Sequence, residues 1–219
     1  NLKKKLFHIQ IKQKQIISFY MEVEKTNVFD IYDKIAGEFS DSRSYKWSSV
    51  RDFLAICEKN RVFADIGCGN GKNVIGIESP AIFCLDTCLP FLDITKSRGF
   101  ESMTASMTSL PYRDSSIDYI LCVAAFHHLA SVERRLIALR ELKRVLAPNG
   151  KIFLTVWSKE QPKKTRRVFP DYGDTFVEWK NDNPRYYYIF KIDEIKELFK
   201  ESGLNIERHY WDCGNEIFI

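Results

Sequence analysis

The sequence predicts an α/β fold built on a mostly parallel sheet. Three observations lead there. Short apolar runs ("VFADIG", "AIFCLD", "YILCVAAF", "KIFLTVW") alternate along the chain with stretches of helical periodicity. A glycine-rich turn, "DIGCGNGKN" from Asp65 to Asn73, follows the first of these runs. A chain of 219 residues, 45% apolar and 28% charged, has room for one substantial core and little more. Strands that alternate with helices favour parallel pairing, because each helix returns the chain to the same end of the sheet.

Val28, Ile31, Ile35 and Phe39 recur at helical spacing, so a helix capped by Thr26 or Asn27 is expected to end near Phe39. The connector "SDSRSYKWSSV" leads to a second helix with apolar positions at Val50, Phe53, Leu54 and Cys57. "VFADIG" reads as a short buried strand, and Asn73 to Ile77 as a stub of helix. "AIFCLD" is the second strand, closed by Asp86; Pro90 to Ser97 reads helical and "FESMTAS" as a third strand. "SLPYRDSSID" has turn composition, and "YILCVAAF" is the strongest strand signal in the chain. Residues 131–146 form an amphipathic helix, capped by Ser131 and stopped by Asn149-Gly150. "KIFLTVW" is the fifth strand, followed by a basic loop, "SKEQPKKTRRVFPDYGDTFVEW". "RYYYIF", a helix from Asp193 to Ser202 stopped by Gly203, and a terminal strand or strand pair complete the pattern. One domain over 21–219 suffices, with a substrate-facing insert near 158–190.

The formal charge of +4 is unevenly placed. Residues 1–20 hold five lysines and no acid, which leaves 28 basic against 29 acidic residues in the body. Any nucleic-acid footprint must therefore be a local patch. The first 20 residues, without arginine or a small-residue cleavage site, match neither a transit nor a signal peptide. They read as a disordered or non-native extension ahead of Met21. No run of about 18 apolar residues exists, so no membrane span is expected. Six cysteines show no paired CxxC spacing. Buried reduced thiols in the cytoplasm or nucleus are the expected reading, with no metal, although Cys84 and Cys88 lie close enough in sequence to be considered as ligands.

The glycine turn carries the chemistry. A dinucleotide fold wants G-x-G-x-x-G; Gly67 and Gly69 fit, but Lys72 stands where the third glycine belongs. A P-loop needs Ser or Thr after its lysine, and Asn73 follows here. What does fit is D-x-G-x-G followed by an acid, Asp86, at the end of the second strand. Asp65 and the bare backbone of 67–69 can receive an amino-acid ammonium and carboxylate, and Asp86 can accept from vicinal ribose hydroxyls. Together they describe S-adenosylmethionine. The same turn also occurs without any cofactor.

From about residue 28 to 157 the chain resembles the class I methyltransferases, with "LPYRDSSIDYILCVAAFHHL" entering strand four and "LKRVLAPNGKIFLTVW" entering strand five. The resemblance implies a Rossmann-like sheet of seven strands with helices on both faces. It places the cofactor on Asp65, Gly67, Cys68, Gly69, Asp86, Thr87, Ser106, Met107 and Ala124. Ser106 stands where the family commonly has an acid for the adenine amino group, so that contact carries no charge here. A narrower likeness lies in "YDKIAGEFSDSRSYKWSSVRDFL", "AAFHHLASVERRLIALRELKRVLAPNGKIFLTVWSKEQ", "FVEWK", "RYYYIF" and "DCGNEIFI". Together they resemble the eukaryotic wobble-uridine tRNA methyltransferases. That family esterifies the carboxylate of 5-carboxymethyluridine, with a small zinc-binding activator subunit as partner in a heterodimer.

A carboxylate is ionised at neutral pH and needs no general base, so no triad is expected, only a clamp. His127, His128 and Arg43 are the candidates for positioning the substrate carboxylate, with Lys46 and Arg185 also in reach of that role, and Lys46, Lys163, Lys164, Arg166, Arg167 and Arg185 are the candidates for holding tRNA. One of the two histidines can equally pack or bond a backbone carbonyl, and the lysine-arginine run can be a solvated face. Two rival functions stay open: a methyltransferase for a quinone or sterol-like small molecule, and an inactive binding subunit of the same fold.

Overall fold

The computed structural model describes residues 18–43, 45–165, 167–180 and 183–219. One sheet of seven strands organises them. Strands β1 (Val62–Ile66), β2 (Ala81–Asp86), β3 (Glu101–Thr104), β4 (Ile117–Val123) and β5 (Leu146–Trp157) run parallel. The hairpin of β8 (His209–Asp212) and β9 (Asn215–Phe218) adds antiparallel strands, for a spatial order of β3-β2-β1-β4-β5-β9-β8. The chain winds outward from β1 to β3, then crosses back to β4. That reversal opens a crevice at the carboxyl ends of β1 and β4, where ligands of such sheets bind.

Alternation along β4 explains the two layers. Ile120 and Cys122 face one cluster, packed with Leu139 and Leu142 of helix α4 (Val132–Val145) and Ile195 and Leu198 of α5 (Ile192–Ser202). Tyr119, Leu121 and Val123 face the other, with Val50 and Phe53 of α2 (Ser48–Ile56) and Leu92 of α3 (Leu89–Ser97). A strand buried on both faces has to be apolar throughout, which is why "YILCVAAF" is so conspicuous in the sequence. Helix α1 (Asp30–Asp41) packs on α3. A second sheet of two strands, β6 (Gly173–Glu178) and β7 (Pro184–Ile189), packs on the turn after β4.

Four local expectations are corrected. No cap interrupts the N-terminal helix at Thr26 or Asn27: residues 18–24 are helical, Lys25–Phe29 continue as a π-helical turn, and α1 follows. The polar side chains are engaged elsewhere, Asn27 donating to the Pro184 carbonyl at 3.2 Å and Thr26 to Glu22 at 3.3 Å. The stub at 73–77 is a run of turns, because Gly71 and Gly76 adopt φ of 70° and 78°, outside the helical region. The third strand stops at Thr104, and Ser106 bridges to Ser109 in a separate turn. Helix α4 ends at Val145, ahead of Asn149-Gly150, which lies within β5; a Cβ on Gly150 would sit 2.7 Å from the Asp118 carbonyl oxygen. Residues 18–20 already belong to the helix, and 1–17 lie outside the described residues. Among the described residues no helix is long and apolar enough to cross a membrane.

Candidate active site

A cavity of about 590 Å³ opens at the carboxyl ends of β1, β2 and β4. Its floor is the glycine turn. Gly67 and Gly69 hold φ of 73° and 52°, and the Gly67 and Cys68 amides donate to the Leu85 carbonyl at 2.8 and 2.9 Å. A Cβ on Gly67 would fall 2.4 Å from that of Ala125, so a side chain there would drive the turn into the end of β4. Ala124 itself carries φ of 54°, costly for a residue with a Cβ. Its amide donates to Thr155 Oγ1 at 2.9 Å, which fixes the strained corner.

Asp86 accepts from the Gly69 amide at 2.8 Å and the Cys88 amide at 3.0 Å, one on each oxygen. Burial raises its pKa; the backbone donors act against the rise. A spare lone pair remains on each oxygen, at the cavity wall. Asp65 sits behind that wall, fully buried, and among the described residues neither of its oxygens accepts a hydrogen bond of ordinary length, the Asn73 side chain being only a weak donor to it. Burial pushes its pKa up to about 7, with the Asn73 side chain and Lys72 favouring the charge. An orphaned buried carboxylate beside an open glycine turn suits a ligand that brings a positive group. The residues present therefore fit S-adenosylmethionine, whose ammonium, carboxylate and ribose match Asp65, the turn and Asp86. Ser106 lines the cavity, but its hydroxyl is tied into a turn with Thr108 Oγ1 at 2.8 Å. Cys68, Thr87, Met107 and Ala124 line it too.

The two histidines differ. His128 donates from Nδ1 to the Tyr186 carbonyl at 2.6 Å, so Nε2 accepts from the Tyr32 hydroxyl at 3.1 Å. Burial pushes its pKa down to about 3. His127 accepts the Trp157 amide at Nδ1, 3.0 Å away, which leaves the proton on an Nε2 that has no partner among the described residues. Burial, then the neighbouring His128, holds its pKa far below the usual histidine range. Both rings are neutral at physiological pH, so any cationic clamp comes from elsewhere.

It comes from arginines. Arg185 is 3% exposed, and its guanidinium lies 5.2–5.9 Å from the rings of Tyr32, Phe39, Trp179 and Tyr187. Arg43 shares the Phe39 and Trp179 rings at 4.9 and 5.6 Å. Its pKa is lowered first by burial and then by Arg185. Arg167 lies 3.9 Å over Trp157, which stacks on Tyr187 at 3.8 Å. Among the described residues no ion pair joins these three to a carboxylate. All three line the cavity. Lys46 instead donates to the Ile75 carbonyl at 2.8 Å, away from the wall, and Lys163 and Lys164 form an exposed turn. Arg166 lies outside the described residues. The sequence reading missed Lys72, Tyr32 and Tyr187 as cavity residues. Lys72 had a signal, its place in the glycine turn; Tyr32 had none, since its position reads as an ordinary helix face.

A parallel sheet with this switch point, glycine turn and pair of strand-end acids defines a class I S-adenosylmethionine-dependent methyltransferase. A family model described as a methyltransferase domain matches residues 64–154. A tRNA (carboxymethyluridine(34)-5-O)-methyltransferase of Schizosaccharomyces pombe is 33% identical over 224 residues, covering 89% of this chain and 96% of that one. The chain belongs to this family of tRNA methyltransferases. A Mus musculus protein named as a probable tRNA methyltransferase 9B is 38% identical over 160 residues, 73% of this chain and 35% of that one. The chain thus spans about a third of the length of the first mammalian relatives it matches. In fold it is similar to a chain from the complex between the Haloferax volcanii Trm112 methyltransferase activator and a methyltransferase. That match has a TM-score of 0.67 and 16% identity, and covers 87% of this chain and 95% of that one.

Proposed function

We propose that this chain transfers a methyl group from S-adenosylmethionine to the carboxylate of 5-carboxymethyluridine at tRNA position 34. The observation that carries the reading is the cluster of Arg43, Arg167 and Arg185 lining the cofactor cavity without a recorded acidic partner among the described residues. Such a rim suits an anionic acceptor, and it weighs against a quinone or sterol, which would want apolar walls throughout. The intact Asp86 and the glycine turn weigh against an inactive binding subunit. The relatives' names point the same way.

Bound S-adenosylmethionine supplies an electrophilic methyl on a sulfonium. The chain's own work is positioning. A carboxylate with a pKa of about 4 is already a nucleophile at neutral pH. The arginine rim orients it, and the aromatic walls exclude bulk water from the line of attack. Neutral His127 offers an Nε2–H without an acceptor, suited to a uracil carbonyl or to the carboxylate itself.

Two partners complete the proposal. tRNA phosphates meet the exposed Lys163 and Lys164 and reach the rim at Arg167. A small zinc-binding activator adds a strand to β3, the unpaired edge of the sheet, where Met103 is 41% exposed. The fold match to a chain from a complex with the Trm112 methyltransferase activator supports a partner of this kind, and the open β3 edge is where we place it. Mass spectrometry of tRNA nucleosides from cells lacking this protein tests the function. The wobble methyl ester should vanish and its free acid accumulate; an unchanged ester would remove the reading.

A further inference from the structure

Arg185 stands apart from the other cations of the cavity. Arg43 sits on the connector after α1, half-buried, and uses Nη1 on the carbonyl and hydroxyl of its own neighbour Ser42 at 3.1 and 3.2 Å. Arg167 is stacked on Trp157 and donates to Gln161 Oε1 at 3.1 Å. Lys72 lies in the glycine turn, close enough to Asp65 to feel its charge. Arg185 instead belongs to strand β7, in register with Val177 of β6, so its backbone is fixed. Its side chain is more than nine-tenths buried, yet among the described residues Nε has no hydrogen-bond partner. Its side-chain hydrogen bond among the described residues is a long one, from Nη1 to the Tyr32 hydroxyl at 3.4 Å.

That hydroxyl is already committed. Tyr32 donates to His128 Nε2, whose orientation is fixed by the bond from Nδ1 to the Tyr186 carbonyl. Its remaining lone pairs face Arg185 and the Tyr187 hydroxyl, 3.2 Å away. The network therefore holds Arg185 in place and does not neutralise it. A guanidinium this buried, ringed by aromatic faces and beside a second guanidinium, is complete only with an anion in its fork.

We propose that Arg185 is the specificity residue that reads the acceptor's negative charge, admitting the free carboxylate and rejecting its uncharged amide and ester. The inference rests on the function proposed above and adds how the acceptor is chosen. It also accounts for release. When the carboxylate oxygen bonds to the methyl carbon and the bond from that carbon to sulfur breaks, both the carboxylate charge and the sulfonium charge disappear. The product then leaves Arg185 without its counter-ion, as it was before binding, and the ester is held less tightly than the acid. Neutral His127 and His128 cannot make this distinction, because neither carries charge in the working pH range.

The test uses anticodon stem-loop RNAs bearing 5-carboxymethyluridine, its amide or its methyl ester at the wobble position, with the full chain and its activator. Wild type should bind the acid at least tenfold more tightly than either neutral form. Arg185→Gln should bind all three alike, at the wild-type affinity for the amide, with S-adenosylmethionine affinity unchanged within about threefold. Arg185→Lys, which keeps a charge but not the fork, should retain a preference of reduced size and raise KM more than it lowers kcat. If Arg185→Gln fails to fold, the lysine variant and the wild-type ratio still decide. Equal binding of acid and amide by wild type, or an undiminished preference in both variants, overturns the proposal. Wild type that esterifies no wobble acid overturns the parent function; wild type that does so while the variants keep full preference overturns this inference alone.

Discussion

Asp65 and Asp86 end neighbouring strands and do different things. Asp86 is held by two backbone amides and can still accept from a ribose. Replacing it with alanine should weaken S-adenosylmethionine binding at least about tenfold, since charge-assisted bonds contribute on the order of 1.5–3 kcal/mol each. Titration calorimetry on both proteins checks this, and equal affinities would remove Asp86 from the site. Asp65 predicts a pH dependence. Burial raises its pKa from 3.8 to about 7, so the empty folded chain holds a proton there that the unfolded chain has released. The stability that proton represents is complete below the unfolded pKa and is lost as pH rises through about 7. An ammonium placed against Asp65 favours its ionised form. Cofactor affinity should therefore increase between pH 6 and 8, with proton release on binding, and Asp65→Asn should abolish both. Calorimetry in buffers of different ionisation enthalpy measures that proton directly. At this scale the sequence was informative where a residue's type and strand-end position define its task, as with Asp86. It was silent on Tyr32, whose role depends on His128 and Arg185 brought from far along the chain.

Elements were legible wherever periodicity alone decides them. The five parallel strands, α4 with its Ser131 cap, and the Gly203 stop of α5 follow from local pattern. The exceptions are instructive. Thr26 and Asn27 have the composition of a cap, but Asn27 bonds Pro184 across the fold and the helix runs through. The same helix is pinned by Glu24, 1% exposed, which accepts from Arg134 Nε at 2.8 and 2.9 Å and from the Ala130 amide at 2.8 Å. No local signal marks a glutamate that will pair more than a hundred residues away. Glu24→Gln should cost about 2–3 kcal/mol, below the usual penalty for breaking a buried pair because Arg134 keeps some contact with water. Chemical denaturation measures it; a midpoint within error of wild type would show that the helix is held by packing alone. Since Glu24 and Val28 both line the cavity, loosening this helix should also raise KM.

For the whole molecule, the strand order explains both the site and the exposed edge. The crevice lies where winding reverses between β1 and β4, and the outward half of the sheet ends in β3, four residues long with Glu101 its one charged residue. A groove beside it is lined by Phe83, Phe100, Met103 and Tyr112. The Ala105 amide donates to Asp86 of β2, so by alternation the Ser102 amide faces the open edge. Ser102→Pro should remove that backbone donor and weaken assembly with the proposed activator at least about tenfold, leaving cofactor affinity nearly intact. Co-purification and calorimetry separate the two effects, and an undisturbed complex would place the activator elsewhere. Edge position followed from the resemblance to the methyltransferase class, since a strand pattern alone does not give strand order, whereas the aromatic box around Arg185 was not legible at all. Its walls come from α1, the 167–180 stretch and β7, which only the folded chain brings together.

The central claim is methyl transfer to a wobble carboxylate, and one reaction tests it most directly. The chain, alone and with the proposed activator, is incubated with S-adenosylmethionine carrying a deuterated methyl group and tRNA that holds 5-carboxymethyluridine at position 34. The RNA is then digested to nucleosides for mass spectrometry. Label should appear in the wobble nucleoside alone, as an ester that mild alkali removes, and should be lost in Asp86→Ala. Label that resists alkali, label at another nucleoside, or none with active cofactor binding would contradict that claim.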